Sequence, residues 1–264
     1  MAATIHTRSF DLRYSDMDDR GEATPTALLG LLEDAAFTHC DEAGWGVHRL
    51  VQAGYGWVLL RGGLEMERYP ALGKRVTVET WCSRTRLFYG ERDYRIRSAE
   101  GEVLGWARSL WLFCSLERKR PVPVLEEIVK AWAPEGTVAG NMELGEVDFP
   151  EALEASASSA FDVRRSDIDT NGHVNNVNYL AWALEALPEA IRRGCYLASI
   201  RGQFKREVTY GSMVKAALAG PDLEGTMKHG VFASGPSGSY LAAAARSRWL
   251  PRAAEASALD RGAA

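Results

Sequence analysis

Cysteine is scarce in this chain of 264 residues: four are scattered at Cys40, Cys82, Cys114 and Cys195, with no C-x-x-C pair. That pattern suits neither a disulfide framework nor a zinc site and points to a reducing compartment, so a cytoplasmic location is expected. Charges interrupt every apolar run, so no membrane span is expected. The N-terminal M-A-A-T-I-H-T-R-S-F has no apolar core of signal-peptide length, which argues against export. Excess basic charge is also missing. Lys and Arg total 31 against 35 Asp and Glu, a net charge of −4 that argues against a nucleic-acid partner. No G-x-S-x-G elbow, P-loop or dinucleotide fingerprint follows a suitable strand. What remains is an ordinary globular composition, 46% hydrophobic and 25% charged, long enough for one large domain or two of usual size.

The first positive feature is an internal repeat, the pattern to look for before any other. Phe10 to Gly21 reads F-D-L-R-Y-S-D-M-D-D-R-G, and Phe161 to Gly172, 151 residues later, reads F-D-V-R-R-S-D-I-D-T-N-G. The register persists. Pro25 to Cys40 is a helix pattern apolar on nearly every side, with Thr24 as N-cap and Pro25 at the first helical position. At the same spacing Asn175 is the cap candidate for V-N-Y-L-A-W-A-L-E-A-L, which ends at Pro188. A helix apolar all round is a buried one, so something must wrap it.

Strand patterns supply the wrapping. They follow the first helix at 57–67, 75–83, 87–98 and 103–115, and the second at 198–208, 213–219, 227–234 and 240–250. The last pair carries a second match, L-G-W-A-R-S-L-W-L against L-A-A-A-A-R-S-R-W-L, aligning Arg108-Ser109 with Arg246-Ser247 and Trp111 with Trp249. Each copy is thus strand, central helix, then four strands, an α+β arrangement of two tandem units, each a curled antiparallel sheet wrapped around a helix. The expected divisions are a first unit at 1–120, a connector at 121–160 with a short helix at 125–132, a second unit at 161–250, and a frayed tail at 251–264.

A repeat allows a differential test. What the copies share is explained first by the fold, and polar residues present in one copy alone are better site candidates. Before its helix the first copy has Asp18, Arg20 and Glu22, where the second has Asp169, Asn171 and His173. A histidine exchanges protons near neutral pH, a carboxylate orients it, and an asparagine positions a water or donates to an oxyanion. All three precede a helix N-terminus, where free N–H groups favour developing negative charge. D-T-N-G is also good turn chemistry, and Asn and Asp cap helices routinely. Glu207, near a strand end, is a fourth candidate, with Glu67 in a comparable stretch of the first copy. His39 and Cys40 are adjacent on a helix and point about 100° apart, so they are packing residues rather than a nucleophile pair. His173 has no second histidine at ligand spacing, so no metal is expected.

The stretch D-I-D-T-N-G-H-V-N-N-V-N-Y-L-A-W resembles the signature of the acyl-acyl carrier protein thioesterases, and the resemblance runs from about Thr7 to Trp249. It implies a double hotdog, with each helix inside its own sheet and the sheets joined edge to edge as a pseudo-dimer, one chain acting alone or as a homodimer. It implies hydrolysis of the thioester between a fatty acyl chain and the phosphopantetheine arm of acyl carrier protein, with no cofactor. The matching catalytic positions are Asp169, Asn171, His173 and Glu207. Plant members carry a cysteine after the glutamate; here Val208 stands there, which favours direct attack by water. Asn171 and His173 would hold water and the reacting centre, with Glu207 or His173 as base, Asp169 as orienter, and N–H groups of the second helix on the carbonyl. Substrate-binding candidates are Asn175 and Asn176, with Leu28, Leu32 and Trp57 of the first unit for the acyl chain. Arg192, Arg193, Arg201, Lys205 and Arg206 are candidates for docking the acidic carrier. An acyl-CoA hydrolase and a non-catalytic fatty-acyl-binding hotdog module are the alternatives.

Overall fold

The computed structural model describes residues 5–132, 139–140, 142–149, 155–170, 172–222, 225–235 and 238–252. The first half holds β1 (His6–Asp11), α1 (Pro25–Glu42), α2 (Val47–Gln52), β2 (Tyr55–Met66), β3 (Arg75–Arg86), β4 (Tyr89–Ser98) and β5 (Val103–Ser115). A short β6 (Arg120–Pro121) and α3 (Glu126–Trp132) follow. The second half holds β7 (Ala157–Asp162), α4 (Asn176–Leu184), α5 (Glu189–Gly194), β8 (Cys195–Phe204), β9 (Met213–Ala219), β10 (Thr226–Gly235) and β11 (Gly238–Pro251).

Among the described residues these strands form one sheet, ordered β1-β3-β4-β5-β2-β8-β11-β10-β9-β7, with β6 on the side of β5. Outward from the β2–β8 seam, both halves have the same order. The seam is antiparallel, from Arg61 opposite Gln203 to Glu65 opposite Ser199. Two curled sheets, each holding its own helix, are thus joined edge to edge: a double hotdog. Because each seam strand pairs with the other unit, neither sheet leaves an inner edge open to pair elsewhere.

α1 starts where its sequence says it should. Thr24 Oγ1 accepts the Ala27 N–H at 3.1 Å, and Pro25, lacking an N–H, sits at the first helical position. Leu28, Leu31, Leu32, Ala35, Ala36 and His39 are buried against the sheet, whereas Asp34, Phe37 and Asp41 form an open stripe. The helix is therefore wrapped on most of its circumference rather than all of it. Its core continues across the seam: Leu64, Val76, Val78 and Ile96 share one cluster with Leu180, Leu197 and Ile200. Truncating a leucine in such a cluster costs about 2–5 kcal/mol, so packing across the seam couples the two halves.

α4 is shorter than its apolar pattern. The Glu185 N–H closes on Trp182 O at 3.1 Å, a tightened last turn, and Pro188 ahead of α5 disfavours helical backbone at Leu187. β7 begins at Ala157, inside the stretch expected to be connector, because it pairs with β9 from Ala157 opposite Leu218 to Asp162 opposite Met213. The described part of the connector crosses the outer face of the sheet. Arg108 donates to Met142 O at 2.6 Å, Arg61 to Leu144 O at 3.0 Å, and the Val147 N–H to Gln203 Oε1 at 2.9 Å. Phe149 then packs on Ala217, Ala219 and Ala244. Strand alternation puts these on the face opposite Ala216 and Leu218, which pack with Ala186 and Leu187 next to α4. Of the expected tail, Pro251 closes β11 and the Arg252 N–H bonds to Gly194 O at 3.0 Å; residues 253–264 lie outside the described residues.

Candidate active site

The loops before α1 and α4 have the same backbone. The Asp18 N–H bonds to Glu22 O at 2.7 Å, and the Asp169 N–H to His173 O at 2.8 Å. Thr24 N–H reaches Asp16 O at 2.8 Å, and Asn175 N–H reaches Asp167 O at 2.9 Å. Gly21 and Gly172 both turn through positive φ, 76° and 79°, where a side chain would be strained. Asp16 and Asp167 are buried and paired with Arg13 and Arg164 at 2.9 and 3.0 Å, which makes them parts of the turn, as their presence in both copies suggested.

The side chains on this shared backbone do different things. In the first loop Arg20 pairs with Asp18 at 2.9 Å and donates to Arg192 O at 2.9 Å, while Glu22 pairs with Arg252 at 2.6 Å. These residues hold the first unit to the second. In the second loop His173 Nε2 lies 3.3 Å from Glu207 Oε2, with side-chain exposures of 40% and 69%. An ion pair that exposed is worth about 0–1 kcal/mol to the fold, so its pairing of water-accessible groups is of chemical rather than structural interest. The His173 N–H also points at Asp169 Oδ1, at 3.4 Å. Asn171 lies outside the described residues.

Glu207 is held by its neighbours. Tyr240 donates to Glu207 O at 3.0 Å, and Tyr179, on α4, accepts the Val208 N–H at 2.8 Å. Burial pushes the Tyr179 hydroxyl up to about 12, so it stays a neutral partner. Val208 itself is fully buried with Val163 and Val174 and provides no nucleophile.

The backbone also corrects the comparison of Glu207 with Glu67. Ala23 N–H bonds to Pro70 O as Val174 N–H bonds to Val208 O, at 2.8 and 2.9 Å. Glu67 N–H bonds to Leu104 O as Lys205 N–H bonds to Ala242 O. The counterpart of Glu67 is therefore Lys205, and that of Glu207 is Tyr69. Tyr69 is a half-buried residue donating to Leu197 O at 3.0 Å, its hydroxyl pushed well up by burial. Glu207 thus belongs with His173 among the residues that differ between copies.

A mostly apolar cavity runs between α1 and α4 beneath the seam, lined by Leu29, Leu32, Ala36, Tyr94, Leu180 and Phe204 among others. It reaches Asn176 and Val177 in the first turn of α4. Asn175 caps that turn, its Oδ1 accepting the Val177 N–H at 2.8 Å. Of the acyl-chain candidates, Leu32 lines the cavity, Leu28 is buried in the core beside it, and Trp57 stacks on Trp132 at 5.2 Å in a separate cluster. Among the lining residues not singled out from the sequence is Glu33, which reaches Asn175 from α1.

The docking candidates are dispersed. Arg192 and Arg193 sit on α5 beside the first loop: Arg20 bonds to the Arg192 carbonyl, and Arg193 pairs with Glu189 at 2.6 Å. The pseudo-twofold relation carries them to the loop without the histidine. Arg201 is paired with Glu65 at 3.0 Å on the seam. Lys205 and Arg206 adjoin Glu207; Lys205 pairs with Asp148 at 3.2 Å, and Arg206 lies 4.1 Å over the Tyr240 ring. Arg165, not singled out from sequence, lies 4.4 Å over the Tyr210 ring on the other flank of this loop. Among the described residues no cluster of three metal-ligating side chains occurs, and no helix is long and apolar enough to cross a membrane.

Comparison with known proteins agrees with this architecture. Residues 3–132 match the acyl-ACP thioesterase N-terminal domain and residues 150–249 the C-terminal domain. A palmitoyl-acyl carrier protein thioesterase of Gossypium hirsutum is 26% identical over 96% of this chain and 66% of its own length. A dodecanoyl-[acyl-carrier-protein] hydrolase of Cinnamomum camphora is 25% identical over 80% of this chain and 58% of its own. The chain thus spans two thirds or less of the length of these relatives. An acyl-ACP thioesterase of Bacteroides thetaiotaomicron has the same fold, with a TM-score of 0.84 at 21% identity over 94% of this chain and 98% of that one. The 12:0-ACP thioesterase of Umbellularia californica scores 0.81 at 22% identity over 96% and 99%. The chain belongs to the acyl-ACP thioesterase family.

Proposed function

We propose that this member of the acyl-ACP thioesterase family hydrolyses the thioester of a fatty acyl chain carried on the phosphopantetheine arm of acyl carrier protein. The observation that carries the proposal is the His173–Glu207 pair, 3.3 Å apart, beside the N-terminus of a helix whose first turn closes an apolar cavity. The acyl chain fits the cavity by its chemistry. The thioester carbonyl then meets the start of α4. There the Val177 and Asn178 N–H groups are occupied by Asn175 at 2.8 and 2.9 Å. The Asn176 N–H, which has no acceptor among the described residues, is the donor for a developing oxyanion.

Water attacks the carbonyl carbon as the Glu207–His173 pair takes its proton. The tetrahedral intermediate collapses, the C–S bond breaks, and the leaving thiolate takes a proton from the same pair. Asp169 and Asn171 orient the loop and the water. Val208 excludes a covalent cysteine intermediate at that position. No metal or bound cofactor enters these steps. Lys205, Arg206 and Arg165 form the docking surface for the acidic carrier, in place of Arg192 and Arg193. One chain contains both units of the pseudo-dimer, and its four free cysteines agree with a cytoplasmic enzyme.

Thiol release from matched acyl carrier protein and acyl-CoA substrates across chain lengths tests the proposal. Faster turnover on the carrier protein is expected. Turnover confined to acyl-CoA would replace the substrate. Tight acyl binding without thiol release would make the chain a binding module.

A further inference from the structure

The two loops are not the whole difference between the halves. At the same spacing of 151 residues, Asn175 corresponds to Thr24, and Glu33 on α1 corresponds to Leu184 on α4. Leu184 packs against the core cluster around α1. Glu33 instead accepts the Asn175 side-chain amide at 3.0 Å, across 142 residues of chain. Asn175 is thereby held at both ends, Nδ2 to Glu33 and Oδ1 to the Val177 N–H at 2.8 Å. An amide with one end free can rotate away from its cap; with both ends bonded it has one orientation.

We propose that Glu33, supplied by the first unit, is a positioning residue of the second unit's site, fixing Asn175 and with it the first turn of α4. Resting on the hydrolase function, this makes the site a composite of both units: the half with His173 needs an acid on the opposite helix, and the half without it has leucine. The carboxylate also stands where the apolar cavity meets the polar loop. Burial raises its pKa, and the charges of Asp169 and Asp34 act in the same direction, while the Asn175 bond opposes them. A leucine would fill the position without that penalty, so stability alone does not account for the acid.

The test uses Glu33→Leu, Glu33→Gln, Asn175→Ala and the Glu33→Leu/Asn175→Ala pair in the full chain. Glu33→Leu should leave unfolding resistance equal or higher, lower kcat on acyl carrier protein substrate at least tenfold, and move KM less than twofold. Glu33→Gln keeps an acceptor for Asn175 and should recover kcat to within about threefold of wild type. The double variant should be no slower than the worse single one. A Glu33→Leu chain with wild-type kcat overturns the proposal, and so do multiplicative effects in the pair or a Glu33→Gln chain as slow as Glu33→Leu. Chemical denaturation of the same set reads the Glu33–Asn175 coupling without activity. Zero coupling overturns the proposal by itself, whereas a wild-type chain releasing no thiol defeats the hydrolase function instead.

Discussion

Two loops of this molecule share a backbone and differ in the side chains at its tip. Residues 16–24 and 167–175 make the same turn and the same helix entry, each anchored by a buried aspartate paired with an exposed arginine, Arg13 or Arg164. In the first, Arg20 and Glu22 reach across to Arg192 and Arg252 and tie the units together. In the second, His173 faces Glu207 in an open position next to a cavity. On one backbone, the side chains of the first turn bind the units to each other while those of the second face water. The segment just past β2 and β8 shows the same division, with Tyr69 half-buried and hydrogen-bonded where the second unit exposes Glu207.

The largest expected break in this comparison comes from the Tyr69 and Glu207 positions. Glu207→Gln should lower kcat by about 10²–10⁴-fold, the range for removing a general base. Tyr69→Phe, at the equivalent backbone position, should leave thiol release within twofold. Circular dichroism and steady-state kinetics on both variants check it.

The second break is in acid. His229 in the second unit takes the place of Tyr94 in the first: His229 pairs with Ser247 at 2.7 Å and bonds to Ala183 O at 2.8 Å. Burial pushes its pKa down to about 4. The unfolded chain therefore binds the proton first, so the contribution is complete above pH 6.5 and is lost as pH falls toward 4. The loss is on the order of 3 kcal/mol. Urea midpoints at about pH 7 and about pH 4 should show it, and His229→Gln should remove that part of the slope.

A smaller effect is expected at the docking surface. Charge reversal at Arg165 and Arg206 together should raise KM for acyl carrier protein substrate about tenfold at low salt, with little change for a short acyl mimic, whereas reversal at Arg192 and Arg193 should do neither. The smallest effect should come from Arg20→Ala with Glu22→Ala. It should lower stability by about 1 kcal/mol, since the Arg20–Asp18 and Glu22–Arg252 ion pairs are both partly exposed, and leave kcat within twofold.

Much of this was legible in the sequence. The 151-residue spacing carried the turn, both N-caps and the helices, because those segments have no insertions between copies. It failed beyond the helices. The elements between helix and next strand differ in length, so the spacing falls to 138 and Glu67 aligns with Lys205. Glu67, in the comparable stretch, is therefore not the counterpart of Glu207; that counterpart is Tyr69. The pseudo-twofold relation was equally hidden. It carries Arg192 and Arg193 to the first loop and brings Glu33 to Asn175, and neither follows from neighbours along the chain. Leu28 and Trp57 were apolar candidates for a cavity that only packing could assign, and both went to the core.

The central claim is one hydrolytic site per chain, in the second unit. Its most direct test is thiol release by His173→Ala beside Glu22→Ala, each checked for folding. Loss of at least about 10²-fold in the first and near wild-type turnover in the second is the expected result. A folded His173→Ala chain that keeps its turnover, or equal loss in both, would contradict it.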